Sequence, residues 1–235
     1  MQELKSKLKR KRLLETKESS LLKAKLAIST VQKQIQILNL KEYLILAGFI
    51  AGGAALRAAM QPLPSVEPIT FIAMLAGWLF GWKKGFIVGA SSLYLSNFIC
   101  LGGQGPWTIF QALGFGIAGF LGGMLSRIKL ERHENSRVKT IAFIGAAVGI
   151  AAVSTIIYEI IMNAASIPFF GIVAFITALP FGIVHIASNI SFAAALPKAR
   201  QFINEKGGFS ELPKLREMVE KLKAKQQEIM NIEQA

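Results

Sequence analysis

The sequence predicts an all-α membrane protein: six transmembrane helices, both termini cytoplasmic, and an amphipathic helical tail at each end. Three observations carry this expectation. The stretch between Glu42 and Lys198 is almost entirely apolar in a chain of 235 residues that is 52% hydrophobic. A soluble domain of this length needs polar helix exteriors, and this stretch supplies almost none. Under six crossings, every one of the 27 Lys and Arg except Arg57 falls on one face. Finally, apolar residues recur every seven positions in the charged tails, the spacing of a helical seam.

The elements follow in order. Residues 1–41 form a basic tail in which Leu14, Leu21, Ile28 and Ile35 make one seven-residue series. Ala24, Val31 and Leu38 make a second. Such a helix either lies on the inner leaflet with Lys and Arg at the headgroups or pairs with another helix. The membrane domain, 42–197, contains apolar segments at 43–61, 68–82, 85–101, 107–126, 138–160 and 170–196. At 1.5 Å rise per residue most can cross a hydrocarbon core of about 30 Å. Segment 68–82 reaches only about 22 Å, and its Trp78 and Trp82 are of the type that marks a membrane interface. It is counted as a span because its omission would put Lys83 and Lys84 opposite the other basic loops. The last part, 198–235, is a second helical tail with Leu215, Leu222 and Ile229 in seven-residue spacing.

Charge sorting sets the orientation. Both tails, the Trp82–Gly85 turn and the Arg127–Lys139 loop share the basic face, which the positive-inside rule makes cytoplasmic. The expected outer connections, 62–67, 102–106 and 161–169, contain no Lys or Arg. The cell membrane is therefore the expected location. The net charge of +13 belongs to tails and inner loops and suits anionic lipid headgroups or an acidic partner. No basic motif interleaved with aromatics accompanies it, so nucleic acid is not an expected partner.

Several chemistries are excluded. Cys100 is the only cysteine, which rules out an internal disulfide or a Cys-based zinc site. All 14 acidic residues are Glu, so aspartyl proteolysis and phospho-aspartate pumping are excluded. A G-x-x-x-x-G-K-[ST] loop is missing, so ATP hydrolysis by a Walker mechanism is not expected of this chain. About forty charged, amphipathic residues precede the first apolar run, so no secretory signal peptide is expected.

Two constellations remain. Ala47, Ala51, Ala55 and Ala59 recur at every fourth position of the first span, with Gly48 and Gly52 beside them. Small residues on one helix face let another backbone approach closely. That neighbour is either another helix of this chain or a partner's membrane helix. The second constellation is polar. Counting rise from the cytoplasmic ends places Arg57, Asn97, Gln111 and Glu159 in the outer half, close to Gln61, Glu67, Gln104, Trp107 and Asn163 of the outer connections. Polar groups converging at one depth suit a small-molecule pocket open to the outside. The alternative is a structural ion pair of Arg57 with Glu67 or Glu159, with the amides capping helix ends. His185 and Asn189 form an H-x-x-x-N on the sixth span. Membrane proteases that use this pattern also need a paired-Glu motif, which is missing, and the same counting places His185 in the inner half. A helix-packing role is expected for it.

The runs Glu67-Pro68, Gly81-Trp82-Lys83-Lys84-Gly85 and Gly103-Gln104-Gly105-Pro106-Trp107-Thr108, followed by Gln111, resemble the S components of energy-coupling factor (ECF) vitamin transporters. The resemblance covers about residues 43–197. It implies a six-helix subunit that captures a vitamin-like micronutrient from outside and delivers it with a transmembrane coupling subunit and two ATPases. ATP is then hydrolysed by those partners, and this chain binds no cofactor of its own. The resemblance puts substrate contacts in the outer loops and helix ends, and the A-x-x-x-A that docks the coupling subunit on Ala51 and Ala55. A cobalamin-like ligand is one guess among vitamin-like compounds. The long tails depart from the usual compact S component. A non-transporting membrane scaffold that recruits partners through those tails is the alternative function. An intramembrane enzyme using His185 is a third.

Overall fold

The computed structural model describes residues 1–127 and 137–231. Among the described residues the chain is helical, with no strand. The helices are α1 (Gln2–Met60), α2 (Pro68–Phe80), α3 (Trp82–Ser96), α4 (Trp107–Gly122), α5 (Arg137–Phe170), α6 (Val173–Ala193), α7 (Leu196–Gly207) and α8 (Leu212–Asn231). They group into two compact units, one of residues 1–41 and 205–235, the other of residues 42–204.

In the first unit the tails pair. Ile28, Val31, Leu38, Phe209 and Val219 are buried, which an isolated helix cannot achieve for any of its side chains. Leu38 lies 3.6 Å from the position a Cβ would take on Gly208, whose φ of +72° suits glycine between α7 and the following turn. The buried residues include members of the seven-residue series, so the seam closes on the other tail. Leu14 and most of the residues before it have side chains outside the described set, as does the middle of the expected basic loop at Arg127–Lys139.

The second unit is a bundle of helices in which glycine sets the closest approaches. A methyl on Gly77 or Gly85 would overlap the Gly119 carbonyl, and one on Gly119 would overlap that of Gly85. Gly89 meets the Phe115 carbonyl in the same way. Helices α2, α3 and α4 therefore touch backbone to backbone, as small-residue stripes permit. The α2–α3 reversal occurs at Gly81, whose φ of +96° a side chain would resist. On the outside of this trio, Leu46, Phe49 and Ile50 of α1 pack on Ile72, Ala76 and Val88. Trp78, expected at an interface, is instead buried. It stacks on Phe143 with centroids 4.2 Å apart, and the Arg200 guanidinium lies 4.3 Å from its ring centre. Trp82 is the exposed member of the pair.

Among the described residues, four helical stretches are long and apolar enough to cross a membrane: Glu18–Met60, Trp107–Arg127, Ile141–Phe170 and Val173–Ala193. α2 has 13 residues and α3 has 15, or about 20 and 22 Å of rise. The expected outer connection at 161–169 is not a loop. α5 runs on through it to Phe170, with Pro168 in its last turn. It ends at Gly171, with φ +70° and its N–H bonded to the Ile167 carbonyl at 2.8 Å. Only Gly171 and Ile172 separate α5 from α6.

Candidate functional site

Alternating helix directions bring the C-terminal end of α1, the N-terminal end of α2, the C-terminal end of α3 and the N-terminal end of α4 to one end of the second unit. Arg57 sits in the last turn of α1. Its Nε donates to Glu67 Oε2 at 3.2 Å, and its Nη1 donates to Ser96 Oγ at 2.8 Å and Asn97 Oδ1 at 2.7 Å. Glu67 caps α2, accepting from the Ile69 N–H at 3.0 Å through Oε1. Burial pushes the Glu67 carboxyl up, and the adjacent Arg57 guanidinium opposes that shift. Asn97 passes the network on, donating to Thr108 Oγ1 at 3.2 Å and Gln111 Oε1 at 3.0 Å. Thr108 Oγ1 in turn accepts from the Gly105 N–H at 3.1 Å, which fixes the start of α4.

Beside this network is a cavity of about 280 Å³. The segment Leu63–Glu67 forms one side. Arg57, Gln61, Phe115, Tyr158, Glu159 and His185 are among the groups that complete it. The segment is tied down: Gln61 Nε2 donates to the Leu101 carbonyl and Ser188 Oγ to the Ser65 carbonyl, each at 3.2 Å. Ser65 takes φ +60°, a left-handed conformation that costs a serine energy and that surrounding contacts must hold.

Glu159 and His185 face one another across α5 and α6, with Glu159 Oε1 and His185 Nδ1 2.7 Å apart. His185 is only 4% exposed, and among the described residues its Nε2 is buried without a hydrogen-bond partner. The Tyr158 ring stands edge-on to the imidazole at 5.1 Å and packs against Phe115 at 4.6 Å. One turn along, Asn189 donates to Thr155 Oγ1 at 2.9 Å and to Thr70 Oγ1 at 3.3 Å. His185 thus lies with the polar cluster, not apart from it in an inner half. The reason is the extended α5. Glu159 is 11 residues before the end of that helix rather than at its outer end, and His185 is 12 residues into α6.

The other polar residues singled out by sequence are distributed around this core. Asn97 and Gln111 reach the cavity's Arg57 through hydrogen bonds without being among its lining groups. Gln104 is exposed and donates to the Tyr94 carbonyl at 2.8 Å. Trp107 lines a separate apolar cavity of about 230 Å³ with Phe110, Met162 and Phe169. Asn163 lines neither cavity; its carbonyl accepts from Ser166 Oγ at 2.7 Å. Sequence reasoning did not single out Phe115, Tyr158 or Phe181 for the site, since aromatic residues are common in apolar helices. Ala47, Ala51, Ala55 and Ala59 are all exposed, and nothing approaches within 4 Å of the Cβ positions of Gly48 and Gly52.

The profile of the family described as "ECF transporter, substrate-specific component" matches residues 26–197. The chain belongs to this family. No curated protein matches it, and no solved structure does. The match covers the whole polar cavity and the exposed alanine stripe. It makes this chain a membrane-embedded, substrate-specific subunit of an ECF-type importer, a transport component that associates with coupling and ATPase subunits.

Proposed function

We propose that this S component captures a small, vitamin-like micronutrient in the 280 Å³ cavity and opens it by displacing the Leu63–Glu67 segment. The observation that carries this is the cavity itself. It combines charged and aromatic walls at the end of the bundle free of Lys and Arg loops, under a short segment held by a few hydrogen bonds. Its volume equals about nine waters at roughly 30 Å³ each, near the lower limit of small-molecule pockets, about 300 Å³. That favours a ligand of one or two rings over a corrinoid. Arg57, Gln61, Glu67 and Glu159 are the contacts supported by their place in the lining. Asn97 and Gln111 hold Arg57 in position. Gln104, Trp107 and Asn163 lie away from that lining and would meet a ligand only on its way in.

In this reading α2 and α3 are short spans, giving six crossings with both termini cytoplasmic in the cell membrane. Tight antiparallel packing at glycine supports that, because neither helix needs to face lipid alone along its length. Ala47, Ala51, Ala55 and Ala59 dock the transmembrane coupling subunit. Their exposure supports this over packing within the chain. Two ATPases working through that subunit supply the energy, and lipids surround the remainder. The paired tails support an added partner contact; deleting residues 1–38 separates the readings, since a scaffold loses its role and a capture subunit keeps its ligand.

The test is purification from membranes in mild detergent, followed by denaturation and mass spectrometry of released small molecules. One compound at near-equimolar amount is expected, and Phe115→Ala should lose it while still inserting. Failure to release any compound, together with no uptake in vesicles that contain the coupling and ATPase subunits, would sink the proposal.

A further inference from the structure

The two charged pairs of the cavity are not equivalent. Arg57 is matched by Glu67, and the remaining Arg57 contacts go to Ser96 and Asn97. Among the described residues, Glu159 pairs only with the imidazole of His185. With Arg57 and Glu67 counted as one neutral pair, a neutral His185 leaves the site with one uncompensated negative charge. If the imidazole donates its Nδ1–H to Glu159, its Nε2 is an acceptor, buried and without a partner. The second Glu159 oxygen is another acceptor. It lies 3.4 Å from where a Cβ would stand on Gly182, so the glycine leaves room beside it. Phe115, Tyr158 and Phe181 line the same cavity, and aromatic walls of this kind can receive a cation over their ring faces.

Building on the capture reading, we infer that the ligand is a small organic cation bearing N–H donors, a protonated amine or amidine on a flat ring, received by Glu159 and His185. The neutral imidazole, donating its Nδ1–H to Glu159, offers Nε2 to the ligand. The groups that set the charge of the site are Arg57 from α1, Glu67 before α2, Cys100 after α3, Tyr158 and Glu159 from α5, and His185 itself. The neighbouring α4 contributes Phe115 and the uncharged Gln111.

The experiment uses the full chain in detergent and four ring probes of similar size, titrated by calorimetry: benzylamine, benzyltrimethylammonium, benzyl alcohol and benzoate. Benzylamine should bind about tenfold or more tightly than the alcohol or benzoate, the gain expected of a charge-assisted hydrogen bond. Benzyltrimethylammonium, a cation without N–H, should be weaker than benzylamine. Glu159→Gln, which keeps an acceptor oxygen for His185, should erase the preference for benzylamine over benzyl alcohol, both probes being titrated on the same folded, monodisperse variant. Benzoate binding best, equal affinity for the two cations, an indifferent Glu159→Gln, or no probe binding would each overturn the inference. An acidic co-purifying molecule would overturn the cation assignment and leave the capture subunit standing. Absence of uptake with the complete importer would remove the capture reading itself.

Discussion

Arg57 and Glu67 should behave as a coupled pair in the stability of the empty subunit. Replacing Arg57 by Met keeps most of the stem volume but removes three donated hydrogen bonds, at 3.2, 2.8 and 2.7 Å. It also leaves Glu67 buried with only the Ile69 N–H. Removing one member of a buried ion pair typically costs about 3–5 kcal/mol. The side chains here are 20% and 11% exposed, so the lower end, about 3 kcal/mol, is expected. Glu67→Gln strands the guanidinium less completely, because Ser96 and Asn97 remain, and should cost about 2 kcal/mol. The double variant has no stranded charge. It should lose about 3 kcal/mol rather than the 5 kcal/mol of independent sites, a coupling of about 2 kcal/mol. The assay is reversible unfolding in mixed micelles with increasing sodium dodecyl sulfate, in the absence of ligand. Strictly additive costs would show that the two charges do not compensate one another, and would refute the neutral-pair accounting on which the cavity's net charge rests.

Other expectations follow from packing and exposure. Gly119→Ala should cost upwards of about 3 kcal/mol or prevent folding, because its methyl would overlap the Gly85 backbone, whereas Gly48→Ala, with open space around it, should be neutral or slightly stabilising in the same unfolding assay. Ala51→Leu with Ala55→Leu should leave probe binding unchanged and sharply reduce co-purification of the coupling subunit; unchanged assembly would remove the docking role from this stripe. Val31→Asp and Val219→Asp should each expose the tails to limited proteolysis while the membrane unit stays resistant, since both side chains are buried within the tail unit.

Much of this organisation was legible in the sequence because membrane burial makes polarity scarce. Arg57 stood out as the only basic residue away from the charged face, and the structure gives it both the Glu67 pair and the amide network. The four-residue spacings Gly77/Gly81, Gly85/Gly89 and Gly119/Gly123 are of the same small-residue type as the alanine stripe, and only the structure distinguishes the close contacts of α2, α3 and α4 from the exposed alanines of α1. Trp78 illustrates a limit. Tryptophan is favoured at interfaces for its amphipathic ring, yet here stacking on Phe143 and the overlying Arg200 draw it inside. The tails posed a similar limit, since a seven-residue seam fits either a membrane surface or a partner helix until its buried members are known.

The misplacement of His185 had one cause, and the sequence contained a remedy. Treating 161–169 as a loop started the sixth span at 170, three residues before α6 begins at Val173, and put Glu159 too near the end of α5, so the two residues were assigned different depths. Register would have decided otherwise. Two antiparallel helices joined by a short turn bring together residues equidistant from that turn, and side chains four apart lie on one face. Thr155 and Glu159 are four apart on α5, as are His185 and Asn189 on α6. Pairing them in reverse order, Glu159 with His185 and Thr155 with Asn189, requires a single turn centred on residue 172. Gly171, the residue best able to end a helix there, stands beside that centre. Four polar residues at matched spacing in two otherwise apolar helices thus specify both the turn and the contact. In a hydrophobic environment that pattern follows from the need of each buried polar group for a partner. Each of the four finds a partner within the pair. Among the described residues, His185 Nε2 and Asn189 Oδ1 are the atoms of this seam left buried without one, and of these two residues His185 is the one that lines the cavity, which is why its unfilled acceptor points to something that arrives from outside the chain.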